Sequence, residues 1–301
     1  MCLVLIVNNT WIIFAYAVTP VHVGMGRAPG AVDLPFQRDS FGYPIIYGSS
    51  FKGTLKSEMI SYFVNTNDNN NGGLDKDHAK KLVNCIFGSE PDDENKSMGR
   101  FIFTDMIPIF YPIASLNEGY IYVTTEYLIS RANDIMELNG KVGKFEVNNN
   151  SHDDLNKMVL LRNSKAKGKI CLNNKNSITL SQSLERIGYL FDNSSREVYV
   201  FDNEVGLQII ESSLIRLTRN VLDDKTKKSE NLWTEEYLPQ GTILVGAVID
   251  SNRKNESCDI TMDKSSILKF LKDNLNNRSI FIGGKETIGK GLIKLRLWYY
   301  E

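Results

Sequence analysis

Hydrophobic positions along this chain fall into runs of two kinds. Ile12–Val18 and GTILVGAVI (Gly241–Ile249) are nearly continuous apolar runs, the pattern of strands covered on both faces. Phe51, Leu55, Met59 and Phe63 instead recur every four residues. That spacing predicts a helix with one apolar face, for which Ser50 can serve as N-cap. A short helix is expected over Leu74–Phe87, stopped by Gly88. RFIFTDMIPIF (Arg100–Phe110) reads as a strand, and YIYVTTEYLISR (Tyr120–Arg131) as a strand entering a helix. Ser212–Pro239 reads as two strands around a polar turn at Asp223–Ser229. SSILKFLKDNLNN (Ser265–Asn277) is patterned as a capped amphipathic helix. RSIFIGG and GLIKLRLWYY then flank a glycine-rich loop as strands.

The two ends thus each give strand–helix–strand, separated by large insertions. That is the split βαβ pattern of an α+β, ferredoxin-like (RRM-like) domain, an architecture that RNA-recognition modules share. Three stretches stand outside it. Asn65–Arg100 holds a low-complexity NTNDNNNGG and an exposed SEPDDENKSMG. Lys141–Val198 is polar and asparagine-rich, with six Lys or Arg and no acid between Lys157 and Lys175. It reads either as a solvated insertion or as a face toward nucleic acid. The third is the hairpin within Leu214–Leu238. With 301 residues the chain suffices for one large domain or two small ones.

Composition narrows the picture. At 42% hydrophobic and 24% charged, 301 residues are enough for a substantial core. A formal net charge of −1 is unlike that of a free-standing nucleic-acid binder, so any RNA-binding charge must be gathered on one face. Cys2, Cys85, Cys171 and Cys258 lack metal or redox spacing and are expected as free thiols in a reducing compartment. The apolar start, MCLVLIVNNTWIIFAYAV, has no Lys or Arg before Arg27 and is interrupted by Asn8, Asn9 and Thr10. It matches neither a signal peptide nor a membrane span; a soluble, cytoplasmic protein is expected.

The candidate chemistry concentrates in Val21–Lys56, a long Gly- and Pro-rich loop with one early acid, Asp33, running into GSSFKGTLK. A loop this long is functional or disordered, and Val32, Leu34, Phe36, Ile45 and Ile46 argue for order. Gly24, Gly26 and Gly30 do not form a dinucleotide fingerprint, because Pro29 stands where the third glycine belongs. Ser49 and Ser50, with the backbone N–H groups of a helix start and with Lys52 and Lys56 on the first turns, suit a phosphate. GGKETIGKG (Gly283–Gly291) nearly matches a P-loop, but Gly291 replaces the Ser or Thr and a strand follows. No nucleotide cofactor is expected there. Gly283 and Gly284 instead let backbone approach a phosphate chain, with Lys285 and Lys290 supplying charge.

Four segments together resemble the RAMP superfamily of CRISPR proteins: HVGMGRAPGAVDLPFQRD, GSSFKGTLK, LWTEEYLP and GGKETIGKG. VDLPFQR with EEYLP is similar to the backbone subunit of the type III-B (Cmr) RNA-targeting complex, and FTDMIPIFYPIASLNEGYIYVTTEYLISR fits that family's central region. The resemblance covers about two thirds of the chain and is weakest over Lys141–Val198. It implies a ferredoxin-like palm and a thumb hairpin at about Leu214–Leu238. It implies copies stacked in a helical filament on a guide (CRISPR) RNA, with other subunits of the effector complex, and cleavage of a target RNA. By motif match it makes Asp33 the acid required for cleavage, places Glu235 and Tyr237 near the scissile phosphate, and gives His22 a matching position. A divalent metal, Mg²⁺ or Mn²⁺, is expected, its ligands unknown; one carboxylate could support it only with waters and phosphate oxygens. From the residues alone, Asp33 reads as a loop-capping Asx turn, and His22 equally suits a brace for the loop. The type III-A (Csm) counterpart, a non-cutting guide scaffold and a lone guide-processing nuclease are the alternatives.

Overall fold

The computed structural model describes residues 10–65, 75–90, 92–93, 96–115, 119–140, 144–145, 147–148, 168–170, 198–251, 272–273 and 275–298. The chain is a mixed α/β structure. Its first strand, β1 (Thr10–Ala17), and β10 (Ile243–Asp250) are buried at nearly every position rather than at alternate ones, so both faces of the sheet are covered there. β1 pairs antiparallel with β10 on one side and with β12 (Leu292–Trp298) on the other. β11 (Ser279–Phe281) closes that edge. On the far side of β10 lie β2 (Phe101–Phe103) and β3 (Ile107–Ser115), both antiparallel to it.

The expected single strand over Arg100–Phe110 is therefore two. The break at Thr104–Met106 has a use. Thr104 Oγ1 accepts the N–H of Ala247, while Asp105 turns its carboxylate to Gly48. Helix α1 (Gly48–Asn65) starts there, two residues before the expected cap at Ser50. Gly48 is required by packing, since a Cβ would stand 2.5 Å from the Phe103 carbonyl. Phe51, Leu55 and Met59 are buried as their spacing predicts. α2 (Lys76–Phe87) packs on α1, capped by Asp75 at its start and ended by Gly88 at φ 90°.

β3 leads into β4 (Gly119–Thr125) and α3 (Glu126–Glu137), which packs on β3 and β10. The polar stretch expected to be an insertion from 141 to 198 contributes strands to the same sheet. β5 (Val147–Asn148) and β6 (Gly168–Ile170) extend its edge beyond β7 (Val198–Phe201), which lies parallel to β4. The short run VYVF is fully buried, and that is what anchors them. α4 (Asn203–Ser213) follows. β8 (Ile215–Leu222) and β9 (Ser229–Tyr237) then form a separate two-stranded sheet, the expected hairpin. Its base is buried at Glu235–Tyr237, while Val221, Leu222 and Leu232 toward the tip are exposed.

Cys85 is disulfide-bonded, which corrects the expectation of four free thiols; sequence spacing alone does not reveal which thiols the fold brings together. Met1–Asn9, most of the NTNDNNNGG stretch, most of 141–198 and all but the last turn of the helix expected over Ser265–Asn277 lie outside the described residues. Among those described, no helix is long and apolar enough to cross a membrane.

Candidate nucleic-acid interface and cleavage site

The loop after β1 is ordered because it is strapped at intervals to three other elements. Val21 pairs with Leu238, His22 with Gly283, Leu34 with Glu235, and Ile46 with Met106. Val21, Val23, Phe36 and Ile46 are buried as part of the core. The loop thus runs from the glycine-rich turn, across the base of the hairpin, to the break before β3. Those straps bring most of the candidate residues together.

Asp33 lies where the loop runs beside β9, and it is exposed. Its N–H donates to Thr234 Oγ1 at 2.9 Å. In return its Oδ2 accepts from the Thr234 N–H at 2.7 Å and from the Thr234 hydroxyl at 2.9 Å. The two backbones are also laddered, with Leu34 N–H to Thr234 O and Glu236 N–H to Leu34 O. The bonds from the Thr234 N–H and hydroxyl hold the Asp33 carboxyl below the usual carboxylate range, with Arg27 adding a smaller charge effect. The other oxygen, Oδ1, makes no hydrogen bond within the described residues. This is neither the local Asx turn open to a loop aspartate nor a buried ion pair. It is a clasp across the fold with one oxygen left over.

Glu235 lies one residue beyond Thr234 and is fully buried. Its Oε1 receives Lys285 Nζ at 2.8 Å and Trp233 Nε1 at 2.7 Å. Its Oε2 receives Arg219 Nε at 3.3 Å and the Tyr237 hydroxyl. Burial alone would raise its pKa, but the bonds from Lys285, Tyr237 and Trp233 outweigh it and bring the carboxyl down to about 2. Glu235 is therefore anionic and committed, with no proton to give at neutral pH. Tyr237 is buried as well, and burial together with Glu235 raises its pKa, so the phenol keeps its proton. The ring of His22 lies 5.2 Å from that of Tyr237, and its Nδ1 donates to the Glu236 carbonyl at 2.7 Å. A carbonyl can only accept, so the neutral ring carries its proton on Nδ1. That bond ties the loop to the base of the hairpin.

The glycine-rich turn closes the other side. Gly283 sits at φ 80°, and a Cβ there would fall 2.0 Å from the His22 carbonyl, so only glycine allows this approach. Gly284 donates its N–H to that same carbonyl at 3.0 Å. Lys285 adopts φ 73° without being glycine, its Nζ tethered to Glu235 and lying 5.9 Å from the Trp233 ring centre. Lys290 Nζ lies 5.8 Å from the Tyr237 ring centre. The two lysines thus lie against the Glu235–Tyr237 pair, and Asp33 is clasped one β9 position before it.

Sequence reasoning missed Glu236. Adjacent strand residues face opposite sides, and each side of this acid pair has its own cations. Glu236 is buried with Arg38 Nη2 at 2.8 Å and Arg216 at 3.1 Å, and Glu211 joins both arginines. Burial raises the Glu211 carboxyl. Arg216 stands directly opposite Glu236 on the hairpin. The signal was available: two consecutive acids at the buried end of a strand require two sets of partners.

The start of α1 differs from expectation. The Gly48 N–H donates to Asp105 Oδ1 at 2.7 Å, and the N–H groups of Ser50 and Phe51 donate to the Tyr47 carbonyl. Ser50 Oγ accepts from Gln37, which ties the loop to the helix, while Ser49 is exposed. Lys56 is buried, its ammonium bound to the Gly88 carbonyl at 2.8 Å and to Glu90 at 2.6 Å. It braces α1 to the end of α2 rather than facing outward. Lys52 remains partly exposed, and burial and then neighbouring Lys56 lower its pKa. A metal cage is not built here: among the described residues no group of three or more His, Cys, Asp or Glu converges.

The family model of the RAMP superfamily matches residues 14–294. The CRISPR system CMR subunit Cmr4 of Saccharolobus solfataricus is 27% identical over 94% of this chain and 94% of its own. The CRISPR system Cmr endoribonuclease Cmr4 of Pyrococcus furiosus is 25% identical over 96% of each. Among solved structures, a chain of the type III-B Cmr-beta complex bound to cognate target RNA superposes with a TM-score of 0.63. That chain is 26% identical, over 96% of both chains.

Proposed function

The chain belongs to the RAMP superfamily, and on that premise we propose that it is the backbone subunit of a type III-B CRISPR effector, an endoribonuclease that cuts target RNA. Copies stack along a guide RNA, with target RNA and the other subunits as partners. The antiparallel order β12–β1–β10–β3, with α1 between the first strand and β2–β3, supports a ferredoxin-like palm. The β8–β9 hairpin, packed only at its base, supports a thumb.

The observation that carries the cleavage reading is Asp33: an exposed carboxylate with one oxygen pinned by Thr234, next in β9 to the Glu235 that Lys285 binds. RNA carries its own nucleophile, the 2′-OH. The protein need only align that hydroxyl with the P–O5′ bond and stabilise the charge that develops on phosphate. Asp33 Oδ1 accepts the hydroxyl proton or orients it. Because the Thr234 clasp makes this carboxylate a weak base, orientation is its larger contribution. Lys285 and Lys290 add positive charge along the phosphate chain. Glu235 and Tyr237 act indirectly, by fixing Lys285 and the hairpin base. A divalent ion would find one protein ligand here, Asp33 Oδ1, and would complete its shell with water and phosphate oxygens. Lys52 and Ser49 serve guide-RNA phosphates further along the loop.

The test uses the assembled complex and a target with a single deoxyribose placed 5′ of one cut. Evenly spaced cleavage should continue at every other site and stop at that one, leaving 2′,3′-cyclic phosphate and 5′-OH ends elsewhere. Cutting at the deoxy position would make water the nucleophile. A target cut only once would speak against repeated subunits.

A further inference from the structure

We propose that Thr234 is a positioning residue for cleavage, its N–H and hydroxyl together holding one oxygen of Asp33 so that the other is the oxygen presented to RNA. The inference rests on reading Asp33 as the cleavage acid.

Asp33 is exposed, so packing does not hold its side chain, and an unheld aspartate rotates about χ1 and χ2. The two hydrogen bonds that hold Oδ2 come from one residue 201 positions away, with Arg27 adding a smaller charge effect. The hydroxyl is itself oriented. It accepts the Asp33 N–H at 2.9 Å, which leaves its single proton to be given to an acceptor. Oδ2 at 2.9 Å is a better acceptor than the Ala31 carbonyl at 3.4 Å. Two donors therefore converge on Oδ2 and none on Oδ1. The charged groups nearby do not compete for this role. Glu235 and Glu236, on either side of the next β9 positions, are turned to Lys285 and Arg219 and to Arg38 and Arg216.

The hydroxyl is not needed to dock the loop. The ladder of Leu34 N–H to Thr234 O and Glu236 N–H to Leu34 O is backbone only, and Phe36 is buried beyond it. A change that removes the hydroxyl but keeps the β-branched shape leaves the loop in place and takes one of the two donors from Oδ2, so that the Thr234 N–H alone no longer fixes the carboxylate's orientation. A structural role and a positioning role therefore predict opposite orders for two small substitutions.

The experiment compares Thr234→Val, Thr234→Ser and Asp33→Asn in complexes assembled on guide RNA. It reads the single-turnover cleavage rate, target affinity and melting temperature. Thr234→Val should slow cleavage roughly 10- to 100-fold, the usual cost of a misplaced reacting group, with affinity and melting unchanged. Thr234→Ser, which keeps the hydroxyl and loses the methyl, should restore the rate. Wild-type cleavage by Thr234→Val, or a Thr234→Ser as slow as Thr234→Val, overturns the proposal. So does a slow Thr234→Val whose melting temperature or affinity has fallen with it, since the role is then structural. Asp33→Asn separates the two readings. If it cuts at the wild-type rate, Asp33 is not the cleavage acid. If it is inactive while Thr234→Val is normal, only the role of Thr234 falls.

Discussion

The base of the hairpin and the start of helix α1 were both candidates for meeting RNA, and the fold treats them in opposite ways. At the hairpin base, acids and cations are matched so closely that Glu235, Glu236 and Tyr237 are fully engaged, and Asp33 alone keeps an unused oxygen. At the start of α1, an internal carboxylate takes the Gly48 N–H and an internal carbonyl and Glu90 take Lys56. The first region pairs its buried charges with one another and leaves the exposed Asp33 to Thr234. The second uses its own groups to join helices, leaving Ser49 and Lys52 facing out. A residue type suited to phosphate or proton chemistry thus becomes functional only where the surrounding fold leaves it unsatisfied.

The sharpest way to break this comparison is Asp33→Ala. Target cleavage in the assembled complex should fall by about 10²–10⁴-fold with RNA affinity nearly unchanged, because a carboxylate adds nothing favourable to phosphate binding. Persistent cleavage would leave the hairpin base as plain architecture.

Next in size is Glu235→Gln. It removes the charge that holds Lys285 and Arg219 and should cost about 2 kcal/mol of stability at neutral pH. The carboxyl, at about 2 in the fold against an ordinary 4.5, contributes stability that is fully present above pH 4.5. That contribution fades as pH falls toward 2. Urea titrations of wild type and variant should therefore converge over that window; a constant gap would mean the charge is not what matters.

The smallest effects sharpen the other side. Lys56→Ala should lower stability by about 1 kcal/mol through its lost bonds and leave the salt dependence of guide binding untouched. Lys52→Ala should do the reverse, flattening that salt slope by about one unit with no change in melting. If the two lysines behave alike, the distinction between a bracing and a facing cation at α1 is wrong.

Much of the architecture was legible because it follows from local pattern. The apolar runs at β1 and β10, the four-residue spacing of α1 and the polar turn of the hairpin all follow from neighbours in sequence. Failures came where distant residues decide. Ser50 looked like a cap, but the close approach of Phe103 demands Gly48, and the helix starts there. One strand became two because Asp105 is needed at that helix start. The polar stretch after 141 concealed β5 and β6, whose pairing depends on the buried VYVF that follows. Within the site, the kinds of residue were readable and their commitments were not. Nothing near Lys56 in sequence announces Glu90 as its partner, and nothing near Asp33 announces Thr234.

The clasp between Asp33 and Thr234 also has a meaning in time. Its two halves leave the ribosome 201 residues apart, which at ordinary elongation is a delay of roughly 10–40 s. Throughout that interval the nascent chain carries the acid without its holder. A truncated product ending before β9 would display the first loop yet have no assembled centre. The clasp can form only once β9 has been made.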